Sequence, residues 1–109
     1  MEFSLSTHVL ELDSGLPAAE LQVQLFGPGG AQPLAAASTD DDGRIKDWGT
    51  AALPCGTYVL EFAVAAWYRA RGEEGFYPRV RVEFDAAEAR HYHVPLLMNR
   101  FGYSTYRGS

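Results

Sequence analysis

The chain has 109 residues, 47% of them hydrophobic, and a net charge of −5. That length suits one domain, expected to span residues 1–109, and the apolar share excludes global disorder. The negative balance argues against a nucleic-acid or membrane-surface binder, which presents a basic surface, but leaves room for a local Arg/His cluster holding a small anionic ligand.

Period-two alternation dominates. Residues 5–12 form the first expected strand and carry His8. Residues 20–26 follow, where Leu21, Val23 and Leu25 alternate with Gln22 and Gln24. The turn Gly27-Pro28-Gly29-Gly30 leads to a strand near 33–38. The acidic turn Asp40-Asp41-Asp42-Gly43 leads to a short one near 44–47 that begins with Arg44. Tyr58, Leu60, Phe62 and Val64 share one face of a strand near 57–65, after the turn Leu53-Pro54-Cys55-Gly56. A short helix fits Ala65 to Arg71. Val80, Val82 and Phe84 alternate with Arg79, Arg81 and Glu83 in a strand near 78–84, and Asp85-Ala86-Ala87-Glu88 reads as a turn. Strands near 90–97 and 102–107 close the chain. Short half-buried strands separated by Gly, Pro and Asp turns specify an antiparallel sandwich or barrel. No internal repeat, secretory leader or membrane-spanning stretch is read here, so a soluble cytoplasmic protein is expected.

The chemistry-bearing residues are few. There are three histidines, His8, His91 and His93. Strand geometry turns His91 and His93 to the same side. Each alone reads as an ordinary satisfied or exposed histidine. Together with an arginine they make an acid/base cluster, because imidazole titrates near neutrality. Zinc is the rival reading, though no carboxylate is clearly placed as a fourth ligand. Arg44 alone is a solvated cation beside an acidic loop. That loop is not an EF-hand, since the position six residues after Gly43 is Gly49 and not glutamate. Cys55 is the lone cysteine, which excludes an intrachain disulfide, and no base adjoins it in sequence. Trp48, Trp67, Tyr68, Phe76 and Tyr77 read as core or interface packing. The tail Tyr103-Ser104-Thr105-Tyr106-Arg107-Gly108-Ser109 combines tyrosine rings with a planar cation, so it reads as ordered and lining a site, with the carboxylate of Ser109 two residues from Arg107.

These pieces resemble a known family. Leu5-Ser6-Thr7-His8-Val9-Leu10, Asp42-Gly43-Arg44, Phe76-Tyr77-Pro78, His91-Tyr92-His93-Val94-Pro95-Leu96-Leu97 and the terminal heptad are similar to 5-hydroxyisourate hydrolases, the transthyretin-related enzymes of purine catabolism. The terminal Tyr-Arg-Gly-Ser is the most specific element, and transthyretins lack it. Asn99-Arg100 stands where the family often has Ser-Pro, and Arg44 to Trp48 is a less typical loop. The resemblance implies an all-β, prealbumin-like sandwich of two antiparallel sheets with one short helix, assembled as a homotetramer, a dimer of dimers. It implies catalytic roles for His8, Arg44, His93 and Ser109, and substrate binding by His8, Arg44, Tyr106 and Arg107, with no metal or organic cofactor. His91 receives no catalytic role. The reaction implied is hydrolysis of 5-hydroxyisourate, with the two histidines activating water and Arg44 stabilising developing charge. A non-catalytic transthyretin-like ligand carrier is the alternative, and a purely structural β-sandwich module the third reading.

Overall fold

A computed structural model describes all residues, Met1 to Ser109. Strand β1 (Glu2–Glu11) is its organising element. Phe3, Leu5, Thr7, Val9 and Glu11 are buried on one side, and Ser4, His8 and Leu10 lie on the more exposed side. Five segments hydrogen-bond to β1. Three are antiparallel pairs of two residues each: β2 (Leu16–Pro17), β5 (Arg44–Ile45) and β6 (Leu53–Pro54). Two run parallel to it: β9 (His91–His93) and β10 (Leu96–Met98). Strand β11 (Tyr103–Thr105) completes this sheet on the free side of β10.

The second sheet takes the order β4-β3-β7-β8, with β3 spanning Gln22–Phe26, β4 Pro33–Ser38, β7 Gly56–Phe62 and β8 Val80–Ala86. All its pairs are antiparallel. Val23, Leu25, Leu60 and Phe62 of this sheet have no exposed surface, and neither do Val9 and Leu96 of the other. Two apolar faces stacked this way form the core of a sandwich. Truncating a side chain there, such as Leu60, costs about 2–5 kcal/mol.

Helix α1 (Val64–Arg69) follows β7 and buries Val64, Ala65 and Tyr68. The Tyr68 hydroxyl donates to Glu11 Oε2 at 2.7 Å, and the Ser14 amide donates to Oε1 at 2.8 Å. Burial pushes the Glu11 carboxyl up, but these hydrogen bonds outweigh it and hold the group below the ordinary value. The same contact, with burial as its larger partner, drives the Tyr68 hydroxyl well above its ordinary range.

The two-sheet sandwich with one short helix is as expected. Antiparallel pairing throughout is not: it holds for the second sheet, whereas β1 is flanked by parallel β9 and β10. The reason is topological. β1 and β9 are separated by the entire second sheet, so no hairpin dictates their relative direction. The strand expected over 90–97 is interrupted at Val94-Pro95, since proline has no N–H to donate to the ladder. The register with β1 is nevertheless the same on both sides of the break. The strand near 44–47 shortens to two residues, β7 ends at Phe62, three residues earlier than expected, and the helix begins at Val64 and ends at Arg69 where Ala65 to Arg71 was expected. Asp85 and Ala86 lie in β8 and not in a turn, because they pair with Thr57 and Gly56, and Thr57 Oγ1 donates to Asp85 Oδ1 at 2.6 Å. Strand β6 falls inside the segment Leu53 to Gly56 that read as a turn, and β2 lies between the strands expected over 5–12 and 20–26.

Candidate active site

Strand alternation on β1 sends Ser4, Ser6 and His8 to the face of the first sheet that looks away from the core. His91 and His93 of β9 project to the same face, as their hydrogen bonds show. Ser4 Oγ lies 2.6 Å from His91 Nδ1, and Ser6 Oγ lies 2.8 Å from His91 Nε2 and 2.7 Å from His93 Nδ1. The parallel register sets Ser4 beside His91 and Ser6 beside His93. On the opposite flank of β1, Arg44 is the register partner of His8.

The position of Arg44 is fixed by the turn before it. Gly43 has φ +73°, and a Cβ there would come within 2.5 Å of the Val9 carbonyl oxygen. Glycine alone allows that close approach, and it lets the Val9 amide donate to the Gly43 carbonyl at 2.7 Å. Asp40 Oδ1 accepts from the amides of Asp42 and Arg44, each at 2.9 Å. The Arg44 amide is the main reason the Asp40 carboxyl is held below its ordinary value.

His93 is half-buried at the centre of the group. Burial lowers its affinity for a proton, and positive charge on Arg44, His8 and His91 lowers it further, against a smaller opposing effect of the hydrogen bond to the Ser6 backbone. The imidazole is therefore neutral at pH 7. With Nδ1 engaged by Ser6, its Nε2 is the atom free to exchange a proton with a ligand. The tail docks here as well. The Gly108 amide donates to the His93 carbonyl at 2.8 Å, and a Cβ on Gly108 would lie 2.5 Å from His93 Cδ2. The tail is thus docked on His93 one residue ahead of Ser109.

His8, Arg44, His93 and the backbone ahead of Ser109 accordingly meet on one face. Tyr106 and Arg107 do not join them by any hydrogen bond or ion pair. They line a cleft of about 440 Å³ together with Glu83, Phe84 and Tyr92. None of the main clefts of the chain is lined by His8, Arg44 or His93, so their face is an open surface. No group of three His, Cys, Asp or Glu side chains is arranged to hold a metal ion. Of the aromatic residues read as packing, Trp48 and Tyr68 are buried, whereas Phe76 is 71% exposed. Two contributors went unnoticed in the sequence: Ser6, two residues before His8 on the same strand face, and Asp40, placed as an Asx turn closing on Arg44.

Residues 5–108 match the model of the HIUase/Transthyretin family. The chain belongs to that family. It is 42% identical to the 5-hydroxyisourate hydrolase of Mesorhizobium japonicum, over 96% of this chain and 91% of that one. Its fold superposes on the 5-hydroxyisourate hydrolase of Klebsiella pneumoniae with a TM-score of 0.90, at 38% identity and full coverage of both chains. It also superposes on transthyretin from Sparus aurata with a TM-score of 0.88, at 28% identity and 96% coverage of both. The family thus contains both an enzyme and a protein of another name on one scaffold. The residues of the outer face must decide between them.

Proposed function

We propose that residues 1–109 form a single hydrolase domain that converts 5-hydroxyisourate to 2-oxo-4-hydroxy-4-carboxy-5-ureidoimidazoline. The observation that carries this reading is the placement of His8, Arg44 and His93 on one face, with a neutral half-buried imidazole near the Arg44 charge. Water attacks a ring amide carbonyl of the substrate. His93 Nε2 takes a proton from that water, His8 positions it, and Arg44 stabilises the oxyanion that develops. The proton held on His93 then passes to the departing ring nitrogen, which opens the ring and completes the balance. Ser109, delivered by the Gly108 bridge, borders the reacting atoms. Tyr106 and Arg107 orient the flat polar ring, a role that rests on the family resemblance and not on contacts within one chain.

An open face cannot exclude water, so a second surface is needed to enclose the substrate. Strands β8 and β11 are the terminal strands of their sheets, and unpaired edges favour association with another copy. Both features support a homotetramer, a dimer of dimers, with active sites between copies. No helix is long and apolar enough to cross a membrane, and a cytoplasmic location accompanies the proposal.

The test is decay of 5-hydroxyisourate, freshly made by enzymatic oxidation of urate, measured against its spontaneous decay. A parallel binding assay with iodothyronines addresses the carrier alternative. Acceleration of decay supports the hydrolase; iodothyronine binding without acceleration overturns it.

A further inference from the structure

The outer face holds more than the groups used above. Ser4 Oγ, His91, Ser6 Oγ and His93 form an unbroken chain with successive separations of 2.6, 2.8 and 2.7 Å. It begins at the half-buried His93, passes through Ser6, which is 8% exposed, and ends at His91 and Ser4, which are both exposed. Each member can both give and take a proton, so the chain is satisfied when polarised in either direction. We propose that Ser6 and His91 are positioning residues which connect His93 to solvent as a proton wire. The proposal rests on the hydrolase reading and extends it.

In the starting polarity, His93 Nδ1–H donates to Ser6, Ser6 O–H donates to His91 Nε2, and His91 Nδ1–H donates to Ser4. His93 Nε2 then carries a lone pair towards the substrate. When Nε2 takes a proton from water, the Nδ1 proton moves to Ser6, the Ser6 proton to His91 Nε2, the His91 Nδ1 proton to Ser4, and the Ser4 proton to solvent. One proton enters and one leaves, and His93 ends neutral with its proton on Nε2. As Nε2 gives that proton to the departing nitrogen, the chain runs backwards in the same step: Ser4 takes one proton from solvent, and Nδ1 of His93 is reprotonated through His91 and Ser6, so His93 stays neutral and the chain is reset.

Electrostatics favours the arrangement. An imidazolium at His93 sits partly desolvated beside Arg44, with His8 on the same face. The wire moves that charge outward, through the exposed His91 and Ser4 to solvent. The charged or titratable groups around His93 are His8 from β1, Arg44 from β5, His91 from β9 and the chain-terminal carboxylate one residue beyond Gly108, so the chain is tested by a change at Ser6, which leaves all of these charges in place.

The experiment compares Ser6→Ala, Ser6→Thr and His91→Gln with the unaltered protein. The wire predicts that Ser6→Ala and His91→Gln each lower kcat by about tenfold, less than the ~10²–10⁴ typical of losing the acid/base group itself. KM stays unchanged, the acid limb of the pH profile moves, and Ser6→Thr recovers most of the rate. His91→Gln with unaltered kcat and pH profile overturns the proposal, whatever Ser6→Ala does. Nitrogen-15 NMR of the two imidazoles decides the matter independently of turnover. A His93 titration that changes in Ser6→Ala, where the charge of His91 is kept, and returns in Ser6→Thr supports the wire; a His93 titration indifferent to Ser6→Ala sinks it. A protein with no hydrolase activity fails the functional reading, and the NMR result still decides the chain.

Discussion

His93 is the residue on which most of the chemistry turns, and its environment explains why. A free histidine titrates near 6.5. Burial and the neighbouring cations place His93 below that, so it is a neutral base at pH 7. The acid limb of kcat/KM should therefore fall below pH 6.5. Arg44→Gln removes one of the cations and should move the His93 titration upwards, which proton NMR can follow; a downward or absent shift contradicts the Coulombic assignment. Gly108 offers a second residue-scale test. Gly108→Ala drives a methyl group into the His93 ring. Ring displacement or undocking of the tail should lower kcat while the fold survives, as near-unaltered circular dichroism would show. His8, Arg44 and His93 each read as ordinary by residue type alone, and it was the family resemblance that singled them out as site residues. Ser6 was not singled out, since a serine on a strand carries no sign of chemistry until its register partner is known. The tail showed another limit. Its composition announced order, but nothing in it said that Tyr106 and Arg107 would line a cleft against β8 while Gly108 docks on β9.

At the scale of elements, the turn from Asp40 to Arg44 does the positioning. Gly43→Ala combines a positive φ with a collision against the Val9 carbonyl. It should cost about 2 kcal/mol in stability and displace Arg44, lowering kcat/KM further than the loss of stability accounts for. Asp40→Ala removes the acceptor of two backbone amides at the exposed turn. Its expected effect is on activity more than on melting temperature, and Asp40→Asn, which keeps an acceptor oxygen, should restore most of it. Equal activity in all three proteins contradicts the positioning role. The sequence made the long strands plain because period-two alternation marks a half-buried strand. It hid β2 and β6, whose two residues each are too short for any period and owe their pairing to β1. The parallel placement of β9 and β10 was equally hidden, as it follows from where the chain returns and not from local pattern.

For the whole molecule, His93 sets the response to mild acid, and the carboxyls of Glu11 and the exposed Asp40 set the response to stronger acid. Both Glu11 and His93 bind a proton less readily when folded. The unfolded chain then binds more protons across each window, so stability rises with pH there. The His93 contribution is complete above about pH 6.5 and is lost as pH falls through its lower folded value. The Glu11 contribution is complete above about pH 4.3 and is lost below that in the same way. Melting temperature should accordingly fall in two stages on acidification, with His93→Gln flattening the upper stage and Glu11→Gln part of the lower. A melting temperature that rises on acidification contradicts both signs. Assembly belongs to this scale too. Introducing a charge at the β8 or β11 edge should lower the sedimentation coefficient and the activity together, if the site is completed between copies.

The most direct test of the central claim is the rate of 5-hydroxyisourate decay with unaltered protein, with His93→Ala and with His8→Ala, at pH 7 and equal concentration of folded chain. The account predicts clear acceleration by the unaltered protein and a loss of ~10²–10⁴ in each variant. Decay at the spontaneous rate with the unaltered protein, or undiminished acceleration by either variant, contradicts it.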